Sequence, residues 1–231
     1  MIPARLCRFP APLPYGEAVD LQKELVQLRI ADRIPDTFLL LQHPPVITLG
    51  RRGRREHLLV SESRLREAGI DLHHSARGGD ITYHAPGQWV LYPILKLSTA
   101  EMGTHGYLHA LESVAINTAK AAGVDAFRRE GMAGAWCGQG KFAAVGFAFT
   151  RWVSWHGLSI NVNLELSGFD LIVGCGLVNQ PVTSLEKALS NGHTLDLDAV
   201  GDEITRQIES VFQRSLHPVS SGNAKGCRCQ L

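Results

Sequence analysis

Ala135-Trp136-Cys137, the turn Gly138-Gln139-Gly140, and the run from Lys141 through Phe142-Ala143-Ala144-Val145-Gly146-Phe147 to Phe149 decide the fold of this chain. Two β-rich runs joined by a glycine turn read as a hairpin. Residues 152–162 continue it as a third strand, which makes a meander. Around it the period changes. Upstream, Ala18, Leu21, Leu25 and Leu28 recur at helical spacing and predict a helix over 15–30, behind a proline-rich lead-in at 10–14. Leu108, Leu111, Ala115, Thr118 and Ala122 predict a second over 105–122, stopped by Gly123. Downstream, Val200, Ile204, Ile208 and Val211 predict a third over 197–212. Strands are expected at 37–42, 46–49 and 89–97, with Pro93 placing the last at an edge or a bulge. Ser61 is the expected cap of a short helix to residue 68, and another short helix follows Thr183. Residues 169–178 read as irregular. With no internal repeat and no linker in mid-chain, this order predicts one α+β domain over residues 1–216. The polar stretch 217–231 reads as a flexible tail.

The 231 residues are enough for a sizeable core, and 45% hydrophobic with 19% charged residues is ordinary for a soluble protein. A net charge of +1 argues against nucleic acid as a partner. No apolar run is long enough to span a bilayer, and the first residues hold no continuous apolar segment of a secretory signal. Five irregularly spaced cysteines do not form a disulfide framework. Free thiols in a reducing, cytoplasmic setting are therefore expected. Cys227 and Cys229 offer too few ligands for a metal site, so none is expected.

Chemistry concentrates in three places. The first is Arg77-Gly78-Gly79-Asp80-Ile81-Thr82-Tyr83-His84, closed by Ala85-Pro86-Gly87-Gln88, where a glycine pair frees the backbone beside a short strand. The second is Cys175, flanked by Gly174 and Gly176, whose backbone N–H groups can point at an oxyanion. Cys137, on a strand, reads as a buried structural thiol. A thiol needs help to ionise, and His84 and His156 are both open candidates. The third is Lys141, which begins a strand of small and apolar residues. It either snorkels or lies near a low-dielectric pocket, where a lysine can exchange a proton with a thiol. The cluster Arg51, Arg52, Arg54 and Arg55 reads as a solvated loop or as a patch that steers acidic partners.

Five motifs in one order resemble the lipoyl(octanoyl) transferase family: residues 77–84 with Pro86-Gly87-Gln88; Gly140-Lys141 to Gly146; Ser154-Trp155-His156-Gly157-Leu158-Ser159 with Asn161 and Asn163; Gly174-Cys175-Gly176; and Val182-Thr183-Ser184-Leu185. His43-Pro44-Pro45 through Arg51 resembles the family's early motif. The resemblance implies a mixed-sheet domain of the biotin/lipoate protein ligase type. It implies an acyltransferase that moves octanoyl or lipoyl groups from acyl carrier protein to a lysine of lipoyl domains, including those of 2-oxoacid dehydrogenases and the glycine cleavage H protein. It further implies a monomer without cofactor or ATP, the acyl donor riding on the carrier's phosphopantetheine. On this resemblance Cys175 is the acyl-thioester nucleophile and Lys141 its proton partner. The acyl-binding segments are residues 77–84, Ala144-Val145-Gly146 and Gly157-Leu158-Ser159. Two departures stand out: Gly174 replaces the family's usual proline, and Ala85 its frequent glycine. The rivals are an ATP-dependent lipoate ligase of the same fold and a catalytically silent carrier-binding module.

Overall fold

The structure, a computed structural model, describes residues 1–97, 102–174, 180–189, 192–219 and 227. In chain order the elements are β1 (Ile2–Arg8), α1 (Tyr15–Ile30), β2 (Thr37–Leu41), β3 (Val46–Leu49), α2 (Glu62–Glu67), β4 (Asp71–His74), β5 (Ile81–His84), β6 (Gln88–Ile94) and α3 (Thr104–Ala121). There follow β7 (Ala126–Arg129), β8 (Met132–Cys137), β9 (Gly140–Thr150), β10 (Val153–Asn161), α4 (Leu185–Ala188), α5 (Leu197–Phe212) and β11 (Arg214–Pro218). Eight strands form a mixed sheet in the order β11-β1-β2-β6-β10-β9-β8-β7, and β4-β3-β5 form a second, small sheet. The architecture is α+β, with the meander β8-β9-β10 as the antiparallel half of the large sheet.

Each helix buries the face its spacing defines. On α5, Val200, Ile204, Ile208 and Phe212 are buried against α3 and one face of the large sheet. Each such side chain contributes about 1.5–3 kcal/mol of transfer free energy. Asp196 caps α5 by accepting from the N–H groups of Asp198 and Ala199 at 2.8 and 3.2 Å. The expected cap Ser61 accepts from Arg64 N–H at the start of α2. Ala18, Leu21 and Leu25 of α1 cover the opposite face of the large sheet, over Leu39, Leu41, Val90 and Tyr92. The small sheet has its own cluster, including Ile47, Leu49, Leu65 and Ile81.

Three findings correct the sequence reading. The large sheet gains β1 and β11, which pair parallel, so the stretch taken as a tail begins inside a strand at His217 and Pro218. Cys7 and Cys227 form a disulfide, with Cα atoms 6.2 Å apart, in place of the expected free thiols. Cys137 is free and buried, as expected of a structural thiol; Cys229 lies outside the described residues. Finally, β6 is central, between β2 and β10, so Pro93 is not on an edge. The missing N–H is absorbed by an irregularity in β10. Regular pairing of β10 with β6 stops at Leu158↔Leu91, and the Ser154 hydroxyl donates to the Pro93 carbonyl at 2.7 Å while accepting from Leu95 N–H at 3.0 Å. His156, in that irregularity, has φ +56°.

Candidate active site

One cavity of about 1030 Å³ opens where the small sheet, the first turn of α1 and strands β6, β9 and β10 meet. It brings the Arg77 loop against two adjacent strands of the meander. The Arg77 loop forms one wall, Ala144-Val145-Gly146 of β9 a second, and Gly157-Leu158-Ser159 of β10 a third. The walls approach closely: Gly78 N–H donates to the Phe147 carbonyl at 2.9 Å, and a Cβ on Gly146 would lie 2.8 Å from the Gly78 carbonyl oxygen. Seven of the eight residues from Arg77 to His84 line the cavity. Tyr83 does not; its ring packs against Phe169, at 5.5 Å between ring centroids.

Arg77 is a buried anchor. Its guanidinium donates to the Thr48 hydroxyl from Nε and Nη2, at 3.1 and 2.9 Å, and to the Thr48 carbonyl at 2.6 Å. It thereby ties the loop to β3. Asp80 organises the arginine turn beside it, accepting from Arg54 N–H at 3.1 Å and from His57 Nδ1 at 2.5 Å. Arg51, Arg52 and Arg54 are exposed and border the cavity's mouth. Arg55 does not border it and pairs with Glu62.

His84 belongs to a hydrogen-bond chain. Its Nδ1–H donates to Gln88 Oε1 at 2.6 Å, and Gln88 Nε2 donates to Asn161 Oδ1 at 2.8 Å. Asn161 Nδ2 in turn donates to the Thr183 carbonyl at 2.9 Å. Thr183 N–H donates to the Lys141 carbonyl at 3.0 Å, and Lys141 N–H to the Pro181 carbonyl at 2.9 Å. The chain joins the Arg77 stretch to Lys141 and to the segment that follows Cys175. Burial holds His84 at about 3 and His43 at about 4, so both are neutral near pH 7 and orient their neighbours as hydrogen-bonding groups. The reading of His84 as a helper of the thiol gains no support from this geometry.

Lys141 is buried, at 7% exposure, and lines the cavity with its ammonium 5.6 Å from the centre of the Trp136 ring. The snorkelling alternative fails. Its side chain lies across Gly134, which has φ +117° and where a Cβ would sit 2.7 Å from Lys141 Cε. Gly134 is fixed in turn by its N–H, which donates to Oε1 of buried Glu112 of α3 at 2.9 Å. Cys175 lies outside the described residues. On its two sides, Gly174 borders a small pocket that Lys141 and Val182 also line, and Gln180 accepts from Arg129 Nη1 at 3.0 Å. Tyr15, Val90, Tyr92, Leu108 and Met132 also line the cavity and were not among the expected site residues; His156, an open candidate for the thiol's helper, lines it too.

These features define an α+β protein with a cavity walled in part by glycines and small residues and lined by a buried lysine. The chain belongs to the family described as the lipoyl protein ligase A/B catalytic domain, whose profile matches residues 14–209. It is 44% identical over 200 residues to an octanoyltransferase of Caldicellulosiruptor saccharolyticus, covering 86% of this chain and 84% of that protein. It is 47% identical over 201 residues to an octanoyltransferase of Syntrophotalea carbinolica, covering 87% and 91%. In fold it is similar to a lipoate-protein ligase A solved with ATP bound, with a TM-score of 0.69 at 13% identity over 98% of this chain and 93% of that one. It is equally similar to a bi-partite lipoate protein ligase from Thermoplasma acidophilum, with a TM-score of 0.69 at 12% identity over 99% and 91%.

Proposed function

We propose that this chain is an octanoyltransferase that moves an octanoyl group from the phosphopantetheine thioester of acyl carrier protein to the ε-amine of a lipoyl-domain lysine, by way of a thioester on Cys175. The observation that carries the reading is the cavity itself, walled by Gly78, Gly146 and Gly157 and reaching buried Lys141. Walls without side chains admit an alkyl chain at close range. Burying about seven methylenes at about 0.8 kcal/mol each supplies roughly 5–6 kcal/mol before the costs of binding.

In the first half-reaction Lys141 takes the Cys175 proton and the thiolate attacks the donor carbonyl. The carbon–sulfur bond to phosphopantetheine breaks, and Lys141 returns the proton to the leaving thiolate. In the second, the acceptor amine attacks the Cys175 thioester, forming the amide and releasing the thiol. Exchange of a thioester for an amide is downhill, so no nucleotide is needed. The 44–47% identity to octanoyltransferases supports this reading over the ATP-dependent ligase, whose solved example is 13% identical.

The test is transfer from purified octanoyl carrier protein to a lipoyl domain in buffer free of nucleotide. The proposal expects one octanoyl group on the acceptor lysine at full rate. Product that requires ATP and free octanoate contradicts it.

A further inference from the structure

His156 is 1% exposed, borders the cavity, and neither of its ring nitrogens has a hydrogen-bond partner among the described residues. A neutral imidazole carries one donor and one acceptor, and leaving both unmet in the interior is costly. The ring is held rather than loose. It stacks on Trp155 at 4.3 Å and meets the edge of Tyr92 at 6.0 Å, while its backbone N–H donates to Oε1 of wholly buried Gln22 at 2.7 Å. Its φ of +56° is a conformation seldom taken by residues other than glycine, and such outliers persist where the surroundings impose them. Burial keeps the imidazole neutral, at about 3.

Its place along the pocket follows from strand register. Gly157 pairs with Gly146, five residues along β9 from Lys141, which is about 17 Å of strand. An extended eight-carbon chain spans about 9 Å and a lysine side chain about 6 Å. The end of the chain therefore falls at Gly146 and Gly157, and His156 is the next residue.

We propose that this end of the acyl pocket is a hydrogen-bonding subsite, in which His156 receives a hydroxyl on the distal carbon of a medium-chain acyl group, so that the protein transfers ω-hydroxyacyl chains as well as unsubstituted ones. The proposal rests on the acyl-transfer reading and adds a substrate class to it. The reaction is unchanged: the thioester breaks, the amide forms, and the hydroxyl passes through intact. Water held beneath an unsubstituted chain is the other source of the same hydrogen bond.

The test compares kcat/KM for 8-hydroxyoctanoyl and octanoyl carrier protein in the wild type, His156→Phe and His156→Asn. Taking the ratio cancels the fraction of folded enzyme. The wild type is expected near one. Phenylalanine, which removes both polar atoms, lowers the ratio at least tenfold, equivalent to about 1.4 kcal/mol. Asparagine, polar and tolerant of positive φ, keeps it within about threefold of the wild type. Equal ratios in wild type and His156→Phe overturn the proposal. Should the phenylalanine variant not fold, a wild-type ratio lower than unity by about a hundredfold, the cost of an unmatched buried hydroxyl, means the site holds water only and also overturns it. Absence of octanoyl transfer from the wild type overturns the acyl-transfer reading, and the subsite with it.

Discussion

Replacing Gly134 by alanine separates the positioning of Lys141 from the fold that carries it. An alanine Cβ at this position would lie 2.3 Å from the Ala143 carbonyl oxygen, 2.7 Å from Lys141 Cε and 3.3 Å from Nζ, at a backbone φ of +117°. Holding a side chain in that conformation costs on the order of 1–3 kcal/mol, and prising β8 from β9 adds to it. A total of about 2–4 kcal/mol corresponds to a fall in Tm of roughly 5–15 °C for a chain of this size. The lysine must also move by the better part of an ångström, and a misplacement of about 1 Å in a reacting group can lower the rate about a hundredfold. The assay is octanoyl transfer well below the lower Tm, alongside thermal melts followed by circular dichroism. Gly69→Ala is the control: φ there is +68° with nothing within 4 Å of the new Cβ, so it carries the strain without the displacement. It loses stability and keeps kcat. A Gly134→Ala enzyme with wild-type kcat refutes the argument that this glycine exists to seat the lysine.

Three further outcomes are expected. Asp36 is 4% exposed and accepts from Arg29, Arg214 and Lys96 N–H at 2.9, 2.9 and 3.1 Å, so Asp36→Ala removes the only carboxylate that pairs with Arg214 among the described residues, leaves Arg29 with Asp32 alone, and costs about 3 kcal/mol in urea unfolding; a loss under 1 kcal/mol refutes this. Folding holds His43, His84 and His156 near 3–4, below their ordinary value of about 6.5. The unfolded chain then binds more protons, and stability that is complete above about pH 6.5 declines by up to about 1.4 kcal/mol per pH unit per histidine as pH falls toward 4. Urea midpoints that stay constant from pH 7.5 to 5 would exclude it. Arg51→Glu with Arg52→Glu raises KM for the carrier protein at low salt and much less at high salt, as expected of exposed charges at the pocket mouth; an unchanged low-salt KM contradicts a docking role.

How much of this could be read from sequence depends on where each residue finds its partners. Helices α1 and α5 follow from the spacing of Leu21 and Leu25, and of Ile204 and Ile208, because a helix needs only its own apolar face to be recognised. Strands β1, β4, β7 and β11 were not legible. Ile2–Arg8 and Arg214–Pro218 mix proline and arginine with apolar residues, and they become strands by pairing with each other across more than two hundred residues. Asp71–His74, polar throughout apart from Leu72, is a strand because β3 offers it a parallel edge. At the site, Lys141 and the three glycine-bearing segments were readable as motifs. The seat that Gly134 and Glu112 make for Lys141 was not, nor was the left-handed turn at His156 held by Gln22, 134 positions away. Both are set by contacts that no local pattern encodes. The Cys7–Cys227 pair escaped for the same reason, since spacing in an odd set of five cysteines says nothing about which two meet.

The central claim is that the acyl group passes through Cys175 with Lys141 as proton partner. Its most direct measurement is intact mass spectrometry of rapidly quenched enzyme after mixing with octanoyl carrier protein and no acceptor. The account predicts one octanoyl group on Cys175 in the wild type, none in Cys175→Ser, formation slowed about a hundredfold or more in Lys141→Met, and loss of the adduct when lipoyl domain is added. Acceptor octanoylation at the wild-type rate by Cys175→Ser, with no adduct at any time, would contradict it.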